Sequence, residues 1–312
     1  MIYESKYQQK GIEKMIKMIR LLITVALLAV NVTAQSQDPT PVDITIDRGG
    51  VQLKGKFYLA EGEGGLPTII LLQGSPGNPV DVIGLGKRLS QSGINAMTFN
   101  YSGTHQSQGE LSFTNCLADI TAAYTFLKSP DKILAYKIDT ASIFLAGHSF
   151  GGGMAMTYAI KHQEIPAVIS IAGMDWGEFF EDYIKYPEMK KSVDSGIDSS
   201  VTTGILRFEP GCMPKEIGVP GLEKLDPDFY TKRNASSLAD KDLLIICGWD
   251  DSLVKMERHM MPLYRALKKE NAQKVQMTAI QDDHFFSKSR DKMAQVLSDW
   301  IRTAPERNKT KD

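Results

Sequence analysis

Cysteine is scarce in this chain: Cys116, Cys212 and Cys247 are the only three in 312 residues. An odd count without regular spacing excludes a disulfide framework. Cys116 falls in a helical pattern and Cys247 in an apolar strand, so both read as small core residues. No Cys/His spacing suits zinc and no Asp-rich loop suits calcium, so no metal is expected. An excess of either charge is also missing. Lys and Arg number 36 against 37 Asp and Glu, a net charge of −1, which leaves no basic field for nucleic acid. No Lys/Arg cluster is interleaved with aromatics, so a nucleic-acid partner is set aside. What remains is ordinary: 42% hydrophobic and 23% charged residues, the composition of a globular chain with a full core. The length allows one large α/β domain or two small ones.

The N-terminus reads as a targeting segment. Lys14, Lys17 and Arg20 precede the apolar run Leu21 to Val30, and Val32-Thr33-Ala34 places small residues at −3 and −1 of a cut before Gln35. A run of about ten residues is too short to span a membrane, and polar, Pro-containing sequence follows at once, as after a cleaved signal peptide. Residues before Met15 read as an upstream start extension. With no Cys near the cut, no lipid attachment and no stable membrane anchor are expected. The expected organisation is therefore a leader over 1–34 and one domain over 35–312.

Beyond it, Val42 to Asp47 and Val51 to Leu59 alternate around Arg48-Gly49-Gly50 and predict a hairpin. Strands are expected at Thr68 to Leu72, Ala96 to Tyr101, Ser142 to Ala146, Ala167 to Ile171, Leu243 to Cys247 and Lys274 to Ile280. Helices are expected at Val82 to Leu89, Cys116 to Leu127, Phe150 to Lys161, Lys255 to Lys268 and Lys288 to Ile301, with a frayed charged tail from Thr303. Such alternation specifies an α/β fold, a mostly parallel central sheet flanked by helices. The rhythm breaks between Gly173 and Asp240, where aromatics are followed by Gly- and Pro-rich turns. An insertion of that length is rarely bare loop, so a small helical cap is expected over about 174–240. Trp176, Phe179, Phe180 and Tyr183 stand at the spacing of one helix face. That stripe is either packed core or, through Phe180, a wall of the substrate site.

The stretch Ile143 to Gly153 carries the chemistry. An apolar strand runs into Gly147-His148-Ser149-Phe150-Gly151 and then a helix, the strand-turn-helix context of a nucleophile elbow. A serine nucleophile needs a base, and the base an orienting acid. Asp250 and Asp251 follow the strand Leu243 to Cys247, and His284 follows the strand Lys274 to Ile280. Both positions lie at carboxyl-terminal strand ends, where open α/β sheets build their sites. His148 must point away from the nucleophile, and His162 and His259 lie on or beside helices. His105 follows a strand end and is a candidate substrate contact. Two N–H donors are needed for an oxyanion: one from Phe150, after the nucleophile, and one from the loop Gln73 to Asn78.

Four blocks, Gln73-Gly74-Ser75-Pro76-Gly77, Asn100-Tyr101-Ser102-Gly103, Gly147 to Gly151, and Gly248-x-x-Asp251-x-x-Val254 with His284, resemble the α/β-hydrolase superfamily. The resemblance runs from about Val42 to Ile301. It implies an α/β-hydrolase fold, Asp251 rather than Asp250 as the acid, and the backbone N–H of Ser75 as the second oxyanion donor. Asn100 to Phe113 also resembles exported, prolyl-oligopeptidase-like single-domain hydrolases. Two positions depart from the pattern: Gln73 where many relatives have His, and Ser102 where they often have Arg. The expectation is an exported serine hydrolase without cofactor or metal, with Ser149, His284 and Asp251 as its triad and a small ester as substrate. A peptidase acting on short peptides comes second and an acyltransferase third, with a non-catalytic binding protein on the same scaffold as the alternative from another class. Fold resemblance by itself does not transfer a substrate.

The leader makes a direct prediction. Mass spectrometry of material made in an exporting host should show a chain starting at Gln35, and an intact N-terminus would contradict the cleavage site.

Overall fold

The computed structural model describes residues 40–217 and 225–309, with side chains described through Ala304. The leader over 1–34, its cut after Ala34, and the cap residues Pro220 and Gly221 lie outside the described residues. Eight strands form one sheet in the order β1-β2-β4-β3-β5-β6-β7-β8. β1 (Val42–Arg48) and β2 (Val51–Tyr58) are the antiparallel hairpin, and β2 pairs antiparallel with β4 (Asn95–Phe99). From β4 onward every pairing is parallel: β3 (Leu66–Leu72), β5 (Ile138–His148), β6 (Ala167–Ile171), β7 (Asp242–Gly248) and β8 (Val275–Ile280).

Burial follows from this topology. A parallel strand covered on both faces reads as a continuous apolar run, and every residue of β4, β6 and β7 is buried. The edge strand β1 alternates instead, with only Ile44 and Ile46 buried. Because side chains alternate across the sheet, β7 feeds two cores. Leu243, Ile245 and Cys247 belong to the core on the side of α2 (Phe113–Lys128), α4 (Phe150–Lys161) and α8 (Met260–Lys269), while Leu244 and Ile246 belong to the core on the side of α1 (Leu85–Gln91) and α9 (Arg290–Lys309). Cys116 and Cys247 are buried and unpaired, as expected. Among the described residues no helix is long and apolar enough to cross a membrane, and no group of His, Cys, Asp or Glu could hold a metal.

Several boundaries differ from expectation for identifiable reasons. α1 starts at Leu85, not Val82, because Ile83 and Gly84 take left-handed backbone angles. There the Asp81 carboxylate accepts from the N–H groups of Val82, Gly86 and Lys87. Ser129-Pro130 ends α2 but also begins α3 (Pro130–Tyr136), since a proline at the first helical position forfeits no hydrogen bond. α9 continues to Lys309, so the expected frayed tail from Thr303 is helical up to that residue. The segment between β6 and β7 contains α5 (Trp176–Lys185), α6 (Pro187–Thr202) and the short α7 (Ala235–Leu238). Its return strand bridges Leu206 to Thr104 and Phe208 to Leu111, which ties the insertion to the loop after β4.

That loop also explains Ser102. Asp119, fully enclosed on α2, accepts from the Ser102 backbone N–H and hydroxyl at 2.7 Å each. The cation that completes the group comes from β1: Arg48 Nε stands 2.5 Å from Asp119 Oδ1. Burial pushes the Asp119 carboxyl above its ordinary pKa, against the pull of these partners. Removing one member of such a pair strands the other, so Asp119→Ala should lower stability by ~3–5 kcal/mol in urea denaturation. A loss under ~1 kcal/mol would show that the group contributes little.

Candidate active site

The turn between β5 and α4 sets the geometry. Gly147 and Gly151 are forced by close approach: a Cβ at 147 would meet the Gly151 carbonyl oxygen at 2.1 Å, and one at 151 the Leu72 oxygen at 2.5 Å. Between them Ser149 adopts φ 54°, ψ −116°, a conformation that a residue with a side chain holds only when its surroundings impose it. Its N–H donates to the Ile171 carbonyl at 2.9 Å, which fastens the turn to β6.

The hydroxyl meets a histidine. Ser149 Oγ lies 2.9 Å from His284 Nε2, and His284 Nδ1 lies 2.7 Å from Asp251 Oδ2. The other Asp251 oxygen accepts from the N–H groups of Leu253 and Val254 at 2.9 and 2.8 Å. With the carboxylate held this way, Nδ1 carries the proton and Nε2 is left to accept from the serine. Asp250 is elsewhere, exposed and accepting from Gln281 Nε2 at 2.7 Å. His284 is presented by a turn in which Asp283 Oδ1 accepts from Phe285 N–H at 2.9 Å, and Asp282 Oδ2 from Lys288 N–H at 2.9 Å.

The loop after β3 lies against the nucleophile, since a Cβ at Gly74 would sit 3.4 Å from Ser149 Cβ. Ser75 and Phe150 both line the cavity above Ser149. Gln73, in place of the usual histidine, is buried and ties the loop down by donating to the Asn78 carbonyl and Thr98 Oγ1 at 2.8 Å each.

The cavity has a volume of about 1410 Å³ and runs from Ser149 up into the insertion. Phe150 and Trp176 pack edge to face at 4.9 Å and Phe113 and Trp176 at the same spacing. Phe180 is 1% exposed, wedged among Phe113, Trp176 and Tyr183, yet it also faces the cavity, so the aromatic stripe is core and wall together. His105 is different. It is not among the cavity's lining residues; its backbone is bonded to Ile205 and Arg207, and its ring lies beneath Gly77. The structure thus places His105 behind the lining loop that contains Gly77 rather than in the lining itself. Sequence reasoning missed Met189, Val193 and Ile197 of α6, which line the opposite wall; their i, i+4, i+8 spacing was the available signal.

The family model described as alpha/beta hydrolase fold matches residues 67–191. The chain has the α/β-hydrolase fold. Similarity to curated proteins is partial: 27% identity over 135 residues to the quorum-quenching protein AidA of Acinetobacter baumannii, which is 42% of this chain and 43% of that protein. Proline iminopeptidase of Saccharolobus solfataricus is 27% identical over 118 residues, 37% of this chain and 35% of that one. The chain thus spans less than half the length of both relatives. Est1E of Butyrivibrio proteoclasticus, solved with ferulic acid bound, superposes over 83% of this chain and 98% of its own at a TM-score of 0.59 and 17% identity.

In this α/β-hydrolase fold the elbow histidine has a defined place. The His148 side chain turns back under the site, 3% exposed, with Nε2 2.8 Å from the His284 carbonyl oxygen. To donate there Nε2 must carry the proton. Burial, and then the neighbouring His284, lower its pKa from 6.5 to about 4. The unfolded chain binds this proton near pH 6.5 and the folded one only near 4. Stability from this group is therefore complete above pH 6.5 and declines as pH falls through that window, by about 3 kcal/mol in all. His148→Asn should flatten this part of the pH dependence of denaturation, and an unchanged slope would refute it.

Proposed function

We propose that the protein is a serine hydrolase that cleaves carboxylic esters with a bulky apolar part. The hydrogen-bonded line Asp251–His284–Ser149 at the base of an aromatic-lined cavity carries the reading. His284 Nε2 takes the proton as Ser149 Oγ attacks the acyl carbon, and Asp251 holds the imidazole's tautomer and stabilises its cation. The N–H groups of Ser75 and Phe150 are assigned to the oxyanion. The alcohol leaves with the proton from His284, and water, deprotonated by His284 in turn, cleaves the acyl-enzyme. Similarity to Est1E, solved with ferulic acid, supports an ester; the partial similarity to proline iminopeptidase supports a peptidase as the second reading. Export is part of the same proposal and rests on the leader's sequence alone.

A fluorophosphonate probe should label the protein and fail to label Ser149→Ala; labelling that survives in the variant refutes the nucleophile. Asp251→Asn should lose at least ~10²-fold in kcat, because the imidazole then rests in the wrong tautomer, and Asp250→Asn far less. p-Nitrophenyl esters of graded acyl length, run beside aminoacyl anilides, separate the ester reading from the peptidase reading.

A further inference from the structure

The apolar cavity carries uneven charge. Its Asp, Lys and Arg lining residues are Asp81, Asp182, Lys185, Lys255, Arg258 and Arg290. Two of these cancel: Arg258 grips Asp182 with two bonds, at 2.8 and 2.9 Å. Asp81 faces inward and spends both oxygens on backbone N–H groups at the start of α1. Lys185, Lys255 and Arg290 are left, with no carboxylate in ion-pair distance among the described residues. The acids beside Arg290 in the chain are committed elsewhere, Asp291 to Arg88 and Asp283 to the turn around Phe285 and Ser287. The lining thus holds four cations against two carboxylates, an excess of positive charge in a chain whose net charge is −1. A cleft with an excess of one sign of charge concentrates ligands of the other sign, and here Lys185 and Lys255 are exposed while Arg290 is half-buried.

Arg290 is the best placed of the three. Its Nε is 3.4 Å from the Phe285 carbonyl, so the guanidinium leans on the loop that presents His284. Lys255 follows the Asp251 turn, and Lys185 ends α5 with its ammonium 5.2 Å from the Tyr186 ring centroid. All three side chains line the same cavity as Ser149, so a substrate held there can bring an anionic group to them. We propose that this cavity selects esters carrying an anionic group, such as a carboxylate, remote from the scissile bond, with Arg290 as the principal contact and Lys255 and Lys185 in support. This rests on the ester-hydrolase reading of the same site and adds its substrate class.

The test compares p-nitrophenyl hydrogen azelate with its neutral methyl ester, which share leaving group and chain length. At neutral pH and low salt, kcat/KM should favour the acid by roughly tenfold, about 1.4 kcal/mol. The preference should shrink in about 0.5 M salt. Arg290→Gln should cut the acid-to-ester ratio severalfold, and the double variant with Lys255→Gln should bring it close to one. Arg265→Gln makes the same change in net charge on the exposed face of α8, at a residue outside the cavity lining, and should leave the ratio where it was. A wild-type ratio of one or less, or an equal fall in Arg265→Gln, overturns the proposal. Calorimetry with Ser149→Ala and monomethyl against dimethyl azelate reads the same selectivity without turnover. If no ester is cleaved, the hydrolase reading fails while this binding arm still decides the anionic site. Binding seen only where the ligand self-associates would indicate an interface effect and would also overturn it.

Discussion

The contact on which the site depends is the close passage of backbone at the end of β5. Gly147 lies against Gly151, and Gly151 against the end of β3, at distances no Cβ could occupy. That crowding bends the chain so sharply that Ser149 is held at a positive φ, with its hydroxyl clear of the turn. The strain is local, and two neighbours offset it: the hydrogen bond to Ile171 on β6 and the first turn of α4, whose Gly152 and Gly153 N–H groups reach the Ser149 carbonyl.

Sheet order does the rest. β3, β5, β6, β7 and β8 are successive neighbours and all parallel, so their following loops emerge on one edge. The loop after β3 brings Ser75, the turn after β5 brings Ser149, and the loops after β7 and β8 bring Asp251 and His284. β5 and β8 stand three places apart, about 14 Å, so the loops after β7 and β8 must reach back across the sheet edge to set Asp251 and His284 beside Ser149. His148 adds a cross-brace, since its buried ring joins the elbow to the backbone of His284 itself.

The insertion between β6 and β7 determines what that edge can accept. α5 packs its aromatics onto Phe113 and Phe150, so the wall nearest the nucleophile is continuous with the core. Asp175 anchors its first turn by accepting from Glu178 N–H, Thr231 Oγ1 and Lys232 N–H. A wall built this way is packed into the core where it meets the chemistry, and charged side chains reach solvent beyond it.

The amino-acid sequence by itself determined the alternation of strands and helices, the buried parallel core and the elbow, because period, apolar runs and glycine requirements are local properties. It also carried the order of serine, acid and histidine. Choosing Asp251 over Asp250 from the residues themselves was beyond it: the two are adjacent and chemically identical, and only the turn that gives Asp251 the Leu253 and Val254 N–H groups separates them. His105 looked like a contact because it follows a strand end, but its backbone is bonded to Ile205 and Arg207 and its ring packs behind Gly77, outside the cavity lining. Arg48, on the hairpin, supplies the guanidinium beside Ser102, a pairing invisible across 54 positions of sequence. That Lys185, Lys255 and Arg290 line one cavity without an acid in ion-pair distance emerged only from the fold, because whether a charge is engaged depends on which acids the tertiary structure brings beside it.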